Sequence, residues 1–135
     1  MKWYLKVLKQ FADFKGRARR TEYWMFTLFN IIFAFVTIML DGLLGSSLGG
    51  EVYGVFYLLY TLAMLIPNLA VSVRRLHDTG KTGWMILVGL IPIIGGIWLL
   101  VLYCTEGDIG ANKYGPDPKN PDSDMQIESH LVENV

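Results

Sequence analysis

Charge is scarce in this sequence, and the places where it is missing are more informative than its total. Asp, Glu, Lys and Arg make up 18% of 135 residues, below the ~25% usual in soluble domains. None of the four occurs in residues 23–40, 52–73 or 82–105. A helix crosses ~30 Å of hydrocarbon in roughly 20 residues, so three stretches sit at or near spanning length. A soluble fold would have to cover all three with polar surface that this composition lacks. Cysteine is nearly absent as well. The single Cys104 excludes an internal disulfide and leaves the redox compartment open. With only His77 and His130 beside it, no metal-ligand cluster can be assembled from spacing, and no metal or cofactor is expected. A phosphate-cradling glycine loop and a GxSxG elbow are also missing. No cleavable signal peptide is expected, because the first apolar run starts after residue 22, is long enough to span and lacks an A-x-A-like site.

What is present favours insertion. Residues 84–104 contain twelve Leu, Ile or Val and no charge. At roughly −0.3 to −0.6 kcal/mol each near the bilayer centre, these contribute on the order of −4 to −7 kcal/mol, reduced somewhat by Gly89, Pro92, Gly95 and Gly96. The net charge is zero but is distributed unevenly. Residues 1–20 hold seven Lys/Arg and one acid, whereas residues 105–135 hold two Lys and seven acids.

Along the chain, residues 2–14 predict an amphipathic helix, with Trp3, Tyr4, Val7, Leu8, Phe11 and Phe14 at helical spacing and Lys2, Lys6 and Lys9 largely opposite. Such a helix beside a span lies in the bilayer interface, or else packs on the ends of the spans. The first span is expected at about 23–40, anchored by Tyr23 and Trp24. A Gly/Ser-rich turn follows at 41–51, where Gly45 and Gly49 match GxxxG in a loop setting. The second span is expected at about 52–73. Pro67 should kink it by clashing with the Ala63 carbonyl, and the Asn68 amide needs a partner on another helix or on freed backbone. A basic loop at 74–83 precedes the third span, 84–104, which is interrupted at Pro92. Residues 1–118 form a single membrane domain, and 119–135 read as an acidic, disordered tail.

Four motifs then appear in order: F-x-G-R-A-R-R-x-E-Y-W at 14–24, R-R-L-H-D-x-G-K-x-G-W at 74–84, I-P-x-x-G within the third apolar stretch, and G-x-x-G-x-N-x-Y-G-x-D-P at 107–118. Together they resemble the bacterial inner-membrane family called domain of unknown function 805, over roughly residues 1–118. The resemblance implies a bacterial plasma-membrane location and no particular activity.

Read as chemistry, Arg74 and Asp78 are i, i+4 on a helix, and Arg75 and Asp78 are i, i+3, so pairing is available. His77 and Asp78 are adjacent and diverge, which disfavours a catalytic dyad. Asp108, Asn112 and Asp117 fail the EF-hand pattern, because Lys113 and Lys119 stand at its sixth and twelfth positions. A turn capping the last helix is expected there instead. The spans contain no ionisable residue of the kind that marks ion paths.

The expected architecture is thus an all-α integral membrane protein with an N-terminal interfacial helix, three transmembrane helices and a flexible tail. The leading function is a non-enzymatic component that meets anionic lipid headgroups through Arg17, Arg19, Arg20, Arg74, Arg75 and Lys81, with Pro67, Asn68 and Pro92 as structural kinks and a polar contact. A homo-oligomer or a membrane-protein partner is compatible with this, and no nucleic acid is expected. The alternative is a subunit of a small oligomeric transporter, since broken helices often line sites. Lys/Arg counts of seven, none and three in successive flanking segments put the N-terminus in the cytoplasm. Three full spans then put the C-terminus in the periplasm. A re-entrant hairpin at 84–104 would return it to the cytoplasm.

Overall fold

The computed structural model describes residues 2–47, 54–119 and 132–133. The elements are α1 (Lys2–Lys9), α2 (Arg20–Ser47), α3 (Val55–Asp78), a 3-10 helix (Gly83–Leu90) and α4 (Ile94–Cys104). The described residues contain no strand beyond one isolated bridge between Asn112 and Gly115.

α2 and α3 are 28 and 24 residues long, and both are apolar and long enough to cross a membrane. Their apolar side chains face outwards, with Ile31 and Phe35 each 61% and Leu43 66% exposed. The core helix of a soluble protein buries such residues, whereas a helix in lipid presents them to the hydrocarbon.

Both helices outrun the apolar stretches that suggested them. α2 starts at Arg20 and continues through Asp41 to Ser47, where a turn was expected; Gly45 is therefore helical, while Gly49 and Glu51 lie outside the described residues. The Asp41 carboxylate accepts the amides of Phe56 (3.0 Å) and Tyr57 (2.9 Å), capping α3 from the neighbouring helix. α3 absorbs Arg74–Arg75–Leu76–His77–Asp78 from the expected basic loop. Its end is a Schellman motif: Gly80, at φ +75°, donates to His77 O, and Lys81 donates to Leu76 O. α3 runs on through Pro67, and the Asn68 amide donates to Met64 O at 2.8 Å. That bond is within the helix and goes to Met64, not to Ala63, whose carbonyl loses its usual donor to the proline.

α1 is shorter than the predicted 2–14. It ends at Lys9, so Phe11 and Phe14 lie outside it and are exposed. Its apolar stripe is buried on the spans. Tyr4 stacks on Phe26 (5.3 Å) and meets Phe33 (5.1 Å), and Val7 is fully buried. The Tyr4 hydroxyl lies 3.2 Å from that of Tyr60, which donates to Asn30 Oδ1 at 2.8 Å, so three polar side chains satisfy one another between the helices.

The third apolar stretch is not a continuous spanning helix. At ~2 Å per residue the 3-10 helix rises about 16 Å, and α4 at 1.5 Å per residue rises about as much, so each limb reaches only halfway across ~30 Å of hydrocarbon. The limbs fold against each other. A Cβ built on Gly95 would stand 1.8 Å from Val88 O, and one on Gly89 would stand 2.9 Å from Leu99. Between them Ile93, at φ +66° and ψ −64°, is the centre of a γ-turn closed by Ile94 N–H to Pro92 O at 2.7 Å. The amides of Ile91, Gly95 and Ile97 are also bonded locally, and Pro92 has no N–H to satisfy. The turn therefore satisfies most of its own backbone donors.

Candidate functional site

Both limbs of the hairpin open at the end of the bundle where α3 finishes. Gly83 packs on Val73 and His77. After α4, residues 105–118 cross the same end as an irregular strap, and the charged side chains of three distant segments meet beneath it.

Asp78 is the hub. Its Oδ1 accepts Arg17 Nε at 3.0 Å and its Oδ2 accepts Arg75 Nη1 at 2.6 Å, with all three side chains nearly fully buried. The Arg75 guanidinium then reaches backbone. Nε donates to Tyr103 O at 3.1 Å, Nη2 donates to Thr105 O, and Nη1 also approaches Ala18 O at 3.4 Å. Arg17 holds the strap, donating to Gly110 O at 2.6 Å and to Asp108 O. The Asp78 carbonyl takes the Asp108 amide. Gly107 packs so closely that an added Cβ would lie 2.0 Å from Asp78 Oδ2. Arg and carboxylate form strong charge-assisted bonds. Here they close the helix ends that would otherwise present unpaired carbonyls.

A second ionic group lies between α1, α2 and α3. Glu22 is fully buried and accepts Arg74 Nη1 at 2.6 Å and Lys6 Nζ at 3.2 Å. Arg74 Nη1 also donates to Gln10 Oε1 at 2.9 Å. Arg74 Nε and Nη2 are buried without a partner.

Around these centres His77 stacks on Tyr114 at 3.9 Å with the rings 2° from parallel, and its Nδ1 donates to Gly16 O at 3.0 Å. The Asn112 amide donates to His77 O and Asp108 Oδ2. Burial pushes the Asp117 carboxyl up, but the amides of Lys119 and Gly110 and the Arg17 charge outweigh that and hold it below the usual carboxylate range. The Lys119 ammonium, 3.1 Å away, holds Glu106 below that range too. Turns are present at 107–118, but they cap the end of α3, through Asp108 N–H to Asp78 O and the Asn112 amide to His77 O, and not the last helix as expected. Among the described residues no group of three His, Cys, Asp or Glu is placed to hold a metal.

The six cations assigned to headgroups divide in two. Arg17, Arg74 and Arg75 are internal and ion-paired. Arg20 and Lys81 are exposed, and Arg19 is half-buried with its guanidinium 5.5 Å over Trp3. Arg20 also donates to Cys104 O at 3.2 Å. Of the two helical pairings that spacing offered Asp78, the one with Arg75 forms, whereas Arg74 turns instead to Glu22, which sequence reasoning overlooked. The available signal was a lone carboxylate at the mouth of an apolar run, which must find a cation. Residues 108–110 lie against Arg17 and Asp78, at the end of the bundle that carries the segment before α2.

Two outward-facing apolar helices of spanning length, joined at one end by buried ion pairs, are the build of a helical membrane protein. The chain belongs to the family described as protein of unknown function (DUF805), whose model matches residues 11–116. It is 51% identical to the inner membrane protein YhaH of Escherichia coli K12 over 120 residues, covering 88% of this chain and 98% of that one. It is 48% identical to the inner membrane protein YhaI over 119 residues, covering 88% and 97%. Identity to the uncharacterized protein YiiR of the same strain is 31% over 133 residues, covering 80% and 87%. No solved structure matches the chain.

Proposed function

We propose that this protein is a non-enzymatic component of the inner membrane, built from two spans and a re-entrant hairpin, whose cytoplasmic end meets anionic lipid headgroups. Both termini are cytoplasmic in this reading, because the basic N-terminal segment and the strap share one end and Lys/Arg-rich flanks stay inside. The observation that carries it is the division of the cations. Arg17, Arg74 and Arg75 neutralise Asp78 and Glu22 internally, while Lys15, Arg20 and Lys81 remain exposed on the same end. The buried set holds the platform, and the exposed set, with Arg19, contacts headgroups at ~1 kcal/mol per cation near an anionic leaflet. α1 lies at interfacial depth over the groove between the spans.

The test is lipid co-purification. The protein with Arg19, Arg20 and Lys81 all changed to Gln should retain its fold and carry clearly less anionic phospholipid than the parent. Equal anionic lipid in the two preparations refutes the reading.

The oligomeric transporter remains a second reading, favoured by the broken third segment. It requires a stable homo-oligomer extracted from native membranes, whereas a specific heterologous partner favours the interaction reading.

A further inference from the structure

Three buried side-chain nitrogens lack a partner among the described residues, Arg19 Nε and, on a single guanidinium, Arg74 Nε and Nη2. The Arg74 side chain is 2% exposed and shares Glu22 with Lys6. Two cations on one carboxylate leave an excess of one positive charge. Nη1 is occupied by Glu22 and Gln10, and Nε and Nη2 have no acceptor. These two nitrogens share one edge of the guanidinium, the edge whose parallel N–H bonds fit two oxygens of a phosphate or carboxylate. A buried donor without an acceptor is costly, and two on one edge of a cation define the shape and sign of what is missing.

Arg74 lines a cavity of about 200 Å³ between α1, the segment leading into α2, and the strap. Lys6, Lys15 and Arg17 line it as well, with Asp13 and Asp117 as the opposing charges. Asp117 is engaged by the Gly110 and Lys119 amides, and Asp13 Oδ1 by the Lys15 amide. At ~30 Å³ per water in the liquid, the space equals roughly seven waters, enough for a phosphate group with a small substituent. Nε and Nη2 are closed off from solvent, the cavity included, so the contact requires the Arg74 guanidinium or the wall beside it to shift.

We propose that this cavity is a phosphate-binding site in which Arg74 supplies a two-pronged contact through Nε and Nη2, with Lys6 and Lys15 at the mouth. The phosphate belongs either to a phospholipid headgroup or to a small soluble phosphate. The headgroup source rests on the cytoplasmic, lipid-facing reading above, and the site itself does not.

The experiment uses the full chain, delipidated in uncharged detergent, with thermal unfolding as the readout. One arm titrates inorganic phosphate against chloride at matched ionic strength. The other adds phosphatidylglycerol or an uncharged diacylglycerol to the micelles. Arg74→Lys keeps a cation for Glu22 but replaces the fork with a point donor. It should weaken the response at least tenfold in concentration. Lys15→Gln, an exposed change, should weaken it about fivefold and guards against misfolding of the first variant. A saturable rise with phosphate assigns a soluble ligand. A rise with phosphatidylglycerol alone assigns the headgroup. No rise in either arm, or equal rises in parent, Arg74→Lys and Lys15→Gln, overturns the site. If Arg19, Arg20 and Lys81 still govern lipid co-purification in that case, the broader lipid reading survives without it.

Discussion

Asp78 and Arg17 stand 61 positions apart in sequence and meet at 3.0 Å with side chains 3% and 1% exposed. The contact ties the segment before α2 to the end of α3. Because Arg17 also holds Asp108 O and Gly110 O, it ties both to the chain that leaves α4. One carboxylate thus decides where the hairpin returns and which face of the bundle the strap covers.

Asp78→Asn removes the charge and keeps the shape. It leaves Arg17 and Arg75 buried and unneutralised, a situation that costs about 3–5 kcal/mol when one partner of a buried pair is lost. Denaturation in detergent should show a loss of that size, with limited proteolysis cutting first in the strap. A loss under about 1 kcal/mol would mean the bridge does not hold the end together.

The hairpin makes opposite predictions for adjacent glycines. A methyl group at Gly95 would collide with the Val88 carbonyl at 1.8 Å, whereas one at Gly96 meets nothing within 4 Å. Gly95→Ala should destabilise the protein by several kcal/mol, since backbone cannot step aside as a side chain can. Gly96→Ala, inside α4, should be neutral or stabilising by up to ~1 kcal/mol. Similar thermal midpoints for the two variants would contradict the packing of the limbs.

Topology separates the hairpin from a full third span. A cytoplasm-dependent reporter fused after Pro118 should be active, and a periplasm-dependent one at the same joint should be silent. Strong periplasmic activity would overturn the shared cytoplasmic end.

Membrane character was legible in the sequence because it depends on composition over a window, which needs no partner. The two long spans, the four motifs and the Arg75–Asp78 spacing all follow from local rules. The helix ends did not. Arg74 through Asp78 read as a polar loop because a run of charge normally seeks water, and only Glu22, Arg17 and the returning carbonyls of Tyr103 and Thr105 make it cheaper for that run to stay helical and buried. The turn expected at 41–51 was absorbed into α2 for a related reason. Asp41 has helix-capping work on α3, which no reading of α2 alone reveals.

The sequence by itself determined that the chain enters a membrane, roughly where it does so, and which family it resembles, since hydrophobic free energy adds residue by residue along a stretch. Only the tertiary structure decided that the third stretch turns back on itself, and that Arg17, Arg74 and Arg75 face inwards while Arg20 and Lys81 stay exposed. The reason is that a buried charge is worth its place only beside its counter-charge. Arg17 and Asp78, like Glu22 and Arg74, become neighbours only once the helices have packed.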